Sequence, residues 1–170
     1  MPLLTECRED HIPIAYFITF RAFGTWLHGR KGSVDRFHNV YGTPKLHANT
    51  SRHKYNSRLL AQPPVHLGKL RRRTIKWAIK ETCEIRGWKL WALNIRSNHV
   101  HTVVTASCDP ERVLIAMKAN ATRQMREAGC WQSDRTPWSR RGSKRRVWTE
   151  EQLRAVIAYV LYDQGSPLPE

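Results

Sequence analysis

Between Val65 and Gly129 the hydrophobic period of the chain switches from that of a helix to that of a strand and back, which few folds accommodate. Leu67, Leu70, Ile75, Ala78, Ile79, Thr82 and Ile85 supply a helical apolar face, and Gly87 offers a stop. Two strand-like runs follow, Trp88 to Arg96 and His99 to Ala106, joined only by Ser97-Asn98. So short a connection predicts an antiparallel hairpin. Asp109-Pro110-Glu111 then supplies an N-cap and a proline at the first helical position. Val113, Leu114, Met117, Ala121 and Met125 carry that helix to near Gly129.

The flanks extend this αββα centre. Residues 12–22, IPIAYFITFRA, are β-branched and aromatic and predict a first strand. The segment from about Gly24 to Pro64 is dense in Gly, Pro, Asn, His and Arg, and reads as a long insertion of the kind that is usually functional or mobile. Arg145-Arg146-Val147-Trp148 predicts a short last strand. Thr149, with Gln152 three residues on, predicts a capped helix to about Asp163. The expected fold is therefore α+β: a ferredoxin-like βαββαβ antiparallel sheet with a C-terminal tyrosine-bearing helix, in one domain spanning residues 1–170.

Composition narrows the partners. A chain of 170 residues can bury a core without staples, and seven tryptophans argue against disorder. No stretch approaches eighteen apolar residues, and the N-terminus lacks the apolar core of a signal peptide, so a cytoplasmic protein with no membrane partner is expected. Cys7, Cys83, Cys108 and Cys130 are scattered and read as free thiols. With 29 basic against 14 acidic residues, the net charge of +15 points to a polyanion, and nucleic acid is the commonest one. Arg71, Arg72 and Arg73 open the first helix. Arg140, Arg141, Lys144, Arg145 and Arg146 lie between Trp138 and Trp148, where cations suit phosphates and rings suit unpaired bases. Gly142 and Ser143 in that run suggest a flexible clamp.

Two features could carry chemistry. His99 and His101 alternate on the predicted third strand, so both imidazoles project from one side. They could hold one divalent metal, or they could be two partly buried histidines, and eight histidines in the chain make the spacing alone weak. The last helix carries Tyr159 and Tyr162 away from the centre of its apolar stripe of Leu153, Val156, Ile157, Val160 and Leu161. They read either as surface tyrosines or as a phenol presented sideways to a bound phosphate. Asp163, four residues after Tyr159, can reach the same place, and Gln164 is the next polar candidate.

Together these segments resemble a known family. SNHVHTVV is similar to the HUH strand of single-tyrosine transposases, in particular the REP-associated tyrosine transposases. WTEEQLRAVIAYVLYDQG resembles their tyrosine helix, and ITFRAFGTWLHG their first strand, so the likeness runs from about residue 13 to 165. The resemblance implies that His99 and His101 coordinate Mg²⁺ or Mn²⁺ and that Tyr159 attacks a scissile phosphate, giving a 5′-phosphotyrosine link and a free 3′-OH. It implies a third ligand from the tyrosine helix, left open here between Asp163 and Gln164, and leaves Tyr162 as a second candidate nucleophile. It further implies single-stranded DNA, in hairpins, as the partner, and a homodimer as one possible assembly. His28, His38 and His47 of the insertion are read as flanking DNA rather than as further ligands. The rival expectation is a non-catalytic single-strand binder on the same scaffold.

Overall fold

The computed structural model describes residues 12–29 and 47–169. Its elements are β1 (Ala15–Ala22), α1 (Thr50–Arg58), α2 (Lys69–Ile85), β2 (Lys89–Ile95), β3 (His99–Thr105), α3 (Pro110–Glu127), β4 (Trp138–Val147) and α4 (Glu150–Tyr162). The strands form one sheet in the order β2-β3-β1-β4, each neighbouring pair antiparallel. This is the α+β, ferredoxin-like arrangement that the sequence implied, with α4 as the added C-terminal helix.

Strand alternation sorts the two faces. Tyr16, Ile18, Phe20 and Ala22 of β1 join Val100 and Val104 of β3 in the larger core, beneath Ile75, Ala78 and Ile79 of α2 and Val113, Leu114 and Met117 of α3. The opposite face presents Ala15, Ala92, Val103 and Val147, which Leu153, Val156 and Val160 of α4 cover in a smaller cluster. The helix ends follow local chemistry. Asp109 accepts from the Glu111 amide at the start of α3, and Thr149 accepts from the Gln152 amide at the start of α4. The Gln152 side chain answers by accepting from the Trp148 amide, one residue before the cap.

The structure departs from the sequence reading in several places. The insertion contains a helix, α1, where no element was expected. Its residues TSRHKYNSR are polar throughout and none is buried, so no apolar period betrays it. Asn49 caps it, and Asn56 ties it back to the His28 carbonyl at 3.0 Å. Gly29 sits where a Cβ would lie 2.6 Å from the Asn49 carbonyl oxygen and the His53 nitrogen, so only glycine admits the helix start there. In α2, Leu70 and Ile85 are exposed rather than part of the apolar face, whereas Leu67 is buried just ahead of the helix. The last strand is also longer than expected. Gly142 to Val147 pair with β1 in one register and Trp138 pairs with Ala22 beyond a register shift, so Gly142 and Ser143 belong to a paired edge strand and not to a flexible clamp. Cations on an edge strand also discourage edge-to-edge pairing with other chains. Cys83, Cys108 and Cys130 are free, while Cys7 and His38 lie outside the described residues.

Gly142 supplies the first test. A Cβ there would lie 2.8 Å from the Thr19 carbonyl oxygen and 3.0 Å from a Leu114 methyl. Gly142→Ala is expected to destabilise by about 1–3 kcal/mol through overpacking. Ser143→Ala, next to it but exposed, should change stability by less than about 0.5 kcal/mol. Urea unfolding midpoints at unchanged slope check both; equal midpoints for the two variants would contradict the close packing of β4.

Candidate active site

His99 and His101 lie on one face of β3, beneath α4, with their ring centroids 4.6 Å apart. Each ring is oriented through Nδ1. For His101 the partner is the Thr19 hydroxyl at 2.7 Å, on the residue directly across the β1–β3 ladder. For His99 it is Asn98 Oδ1 at 2.6 Å, which can only accept, so Nδ1 carries the proton. With Nδ1 protonated, as the Asn98 contact sets it for His99 and as the Thr19 hydroxyl allows for His101, Nε2 holds the lone pair, the tautomer a metal-binding imidazole needs.

The environment keeps the pair neutral. Burial pushes the His101 pKa down to about 4, helped by the neighbouring His99 and Arg21. Burial, then the Arg21 charge, lowers His99 as well, with Arg96 adding to it. Gln164 acts in the opposite direction on both rings through hydrogen bonding. Its Nε2 donates to the Tyr159 carbonyl at 3.1 Å, which leaves Oε1 to face the imidazoles.

Tyr159 arrives from above. The aliphatic stripe of α4 seats the helix, and Asn94 Nδ2 of β2, the cross-strand partner of His101, donates to the Val160 carbonyl at 2.9 Å. The Tyr159 ring stands edge-on to His101, centroids 5.9 Å apart, and edge-on to Phe17 at the same distance, with 43% of the residue exposed. Tyr162 is 77% exposed, one helical turn further on. Asp163 is also exposed and forms the C-cap of α4. The histidines' described contacts include Gln164 and not Asp163. Of the residues that the sequence singled out for chemistry, the structure therefore brings together His99, His101, Tyr159 and Gln164, and leaves Tyr162 and Asp163 outside. No group of three or more His, Cys, Asp or Glu that could hold a metal ion gathers among the described residues.

Arg21 was missed by the sequence reading. It lies opposite His99 on β1, at the point where the β1–β4 register shifts, a place where bulges commonly re-aim side chains beside sites. Its guanidinium stands 4.5 Å from the Trp26 ring centroid, its charge acts on both histidines, and Tyr159 lies within electrostatic reach of it. The available signal was a lone arginine in the apolar run ITFRA, in alternation with Phe17 and Thr19.

The basic run of β4 divides between two faces. Arg145 pairs with Phe17 on the site face and lies 5.5 Å from its ring, and Ser143 pairs with Thr19. Lys144 and Arg146 point to the α3 side, where Lys144 forms an ion pair with Glu111. Arg140 and Arg141 are exposed, and Trp148 is partly so. Trp138 is corrected from a base-stacking candidate to a core residue. It is 2% exposed, packs edge-on to Phe20, and donates Nε1 to the Lys118 carbonyl and the Thr122 hydroxyl. Arg71 is engaged within the fold, on the Cys130 and His66 carbonyls, and Arg72 on those of Leu67 and Pro169. Arg73 is exposed.

A paired His-x-His strand roofed by a helix that presents a tyrosine defines the single-tyrosine HUH endonucleases. Within that class the chain belongs to the IS200-like transposase family, whose sequence pattern matches residues 64–161. Among solved structures, it is similar to a REP-associated tyrosine transposase bound to a REP hairpin, with 13% identity and a TM-score of 0.52 over 92% of this chain and 70% of that one. A Deinococcus radiodurans protein assigned as a transposase gives 14% identity and a TM-score of 0.45 over 96% and 100% of the two chains. Comparison with curated proteins gives no match.

The low His101 pKa has a consequence for folding. An unfolded imidazole titrates near 6.5 and the folded one near 4, so between these values the unfolded chain holds a proton that the folded chain refuses. Stability of the metal-free protein should therefore fall as pH drops from about 6.5 to about 4, by roughly 3 kcal/mol from this group. His99 is shifted in the same direction. Unfolding in urea with EDTA, across this range, should show a shallower decline for His101→Asn than for the wild type. Parallel profiles would mean that His101 is not held neutral.

Proposed function

We propose that this transposase nicks and rejoins single-stranded DNA at Tyr159, through a 5′-phosphotyrosine intermediate, with DNA hairpins as substrates. The observation that carries this reading is the meeting of Tyr159, both histidines and the Gln164 amide at one place, reached from two separate elements. The donor set fits Mg²⁺ or Mn²⁺: two neutral imidazoles with oriented Nε2 lone pairs and an amide oxygen turned towards them. His99, His101 and Gln164 would hold the ion, and Asp163 is set aside as a ligand. Bound there, the metal would polarise the scissile phosphate and offset its developing charge.

The chain's own groups supply the rest. The Tyr159 oxygen attacks phosphorus, the new O–P bond forms as the bond to the 3′ oxygen breaks, and that oxygen leaves with a proton as the phenol loses one. The ester's energy is kept in the phosphotyrosine, so rejoining needs no nucleotide cofactor. Arg21 places a cation beside the phenol and the histidines, where negative charge accumulates. Arg145 and Ser143 line the approach on β4, with Trp148 exposed at the strand's end as a surface for an unpaired base. The α4 contacts with β2 and β3 of the same chain support a site completed without helix exchange between copies. The solved relative's REP hairpin supports hairpin DNA as the substrate class here. The described parts of the insertion, residues 24–29 and 47–64, would flank the DNA as part of one domain.

With end-labelled hairpins and Mn²⁺, wild-type protein should give a covalent adduct that mass spectrometry places on Tyr159. Tyr159→Phe should form none while binding DNA within about twofold of wild type. An adduct on Tyr162, or binding without any adduct across several hairpins and metals, would overturn the proposal. Thr19→Val, which removes only the hydroxyl that orients His101, should lower metal affinity or cleavage about 10–100-fold. Isothermal titration with Mn²⁺ and single-turnover cleavage measure the two effects.

A further inference from the structure

We infer that the groove between α2, the β2 edge and the C-terminal segment is a second DNA-binding site, one that takes an unpaired strand running on from the nicking site. The inference rests on the reading of the chain as a single-strand transposase, and adds to it a place for DNA that is not being cut. The groove encloses about 740 Å³. Lys69, Arg72, Arg73, Lys76, Lys80 and Arg96 contribute to its lining, and no acidic residue does so among the described residues. On α2, Lys69, Arg73, Lys76 and Lys80 follow one another at four, three and four residues, so they form one stripe about 16 Å long at 1.5 Å per residue. Such a row of cations matches the regular spacing of charge along a row of phosphates.

The groove is not merely cationic. Trp77, 56% exposed, stands within the stripe, and the exposed Leu70 and the Pro167–Pro169 segment give it apolar walls. An indole open to solvent among lysines is costly in water and favourable under a base, because base–aromatic stacking is sequence-tolerant and substantial. Duplex DNA keeps its base faces stacked and cannot use it, so the occupant is an unpaired strand. Continuity with the nicking site fixes the direction. Asn94 lines the groove and is also the cross-strand partner of His101. Arg96 lines it too, its charge reaches His99, and it donates to the Ser166 carbonyl on the far wall. A strand leaving the histidines past the β2 edge enters the groove directly.

The test uses fluorescence anisotropy on the full chain with three probes: a DNA hairpin carrying an unpaired oligothymidine extension, the same stem blunt, and oligothymidine alone. The combined variant Arg73→Ala, Lys76→Ala, Lys80→Ala should bind the extended hairpin and oligothymidine at least tenfold more weakly. Three fewer phosphate contacts should also lower the salt slope on oligothymidine by about 2. The blunt hairpin should change less than about twofold. Trp77→Ala should lose about fivefold or more on oligothymidine, and Trp77→Phe should recover most of it. Thermal melts confirm that these surface variants fold. Equal losses on all three probes would reduce the groove to a general positive field and overturn the inference, as would unchanged binding of the extended hairpin. Adduct formation on Tyr159, followed in parallel, reads the catalytic proposal separately. Loss of extension binding without any wild-type adduct supports the groove while the nicking site fails, and an adduct with no extension effect does the reverse.

Discussion

The pairing of β1 with β3 sets everything else in this structure. Both are interior strands, and their antiparallel register puts Thr19 opposite His101 and Arg21 opposite His99. Because strand side chains alternate, the same register sends Val100, Thr102 and Val104 into the α2–α3 core and leaves the two histidines on the α4 face. A slip of one residue would exchange the two sets, burying imidazoles among aliphatics and exposing valines to the helix that carries the tyrosine. The register is therefore held by the hydrophobic demand of one face, and the chemistry of the other inherits its precision. The Thr19–His101 hydrogen bond crosses this ladder, so the orientation of the more buried imidazole is fixed by the same pairing that fixes the core.

Electrostatics on the site face favour one protonation state. His101 is 7% exposed and shares its surroundings with His99 and Arg21, and both dehydration and like charge oppose a proton there. A neutral imidazole is the form that can donate a lone pair, so the positive surroundings that would disfavour a bare cation also leave both rings able to donate one. A metal ion held there, as proposed, would become acceptable once phosphate arrived with negative charge. Arg21 and Arg145, one beside each end of the Phe17–Tyr159 contact, are placed where that charge would lie.

Much of this was legible in the sequence, and what was not shares a physical reason. Elements with a clear hydrophobic period, the α2–β2–β3–α3 run above all, were identified with their ends to within a few residues. The alternation of His99 and His101 followed from the strand. The polar helix α1 has no such period. The basic strand β4 has none either, since it is a strand only because β1 offers it a ladder, and its cations divide between faces once it pairs. Trp138 looked like its neighbours in composition and is a core residue by position. The choice between Asp163 and Gln164 went beyond helical extrapolation, because α4 ends at Tyr162 and Gly165 adopts φ +78°. Past that end, 100° per residue no longer says where a side chain points. Gln164 leaves the helix and turns back under Tyr159, donating to its carbonyl.

The unequal size of the two hydrophobic clusters suits this division. Dehydrating two imidazoles and an arginine on one face of a sheet costs stability, and α4 contributes only three buried aliphatic side chains there. The other face carries Phe20, Ile18, Ile75, Ile79, Leu114, Met117 and their neighbours, all essentially inaccessible to water. At about 25 cal/mol per Å² of apolar surface, a face of that size can offset the cost of several such polar burials. A symmetrical sandwich with aliphatics on both sides would be more stable and would have no place for a phosphate. Here the stabilising contacts and the reactive groups occupy opposite sides of the same two strands, which lets each be optimised with little expense to the other.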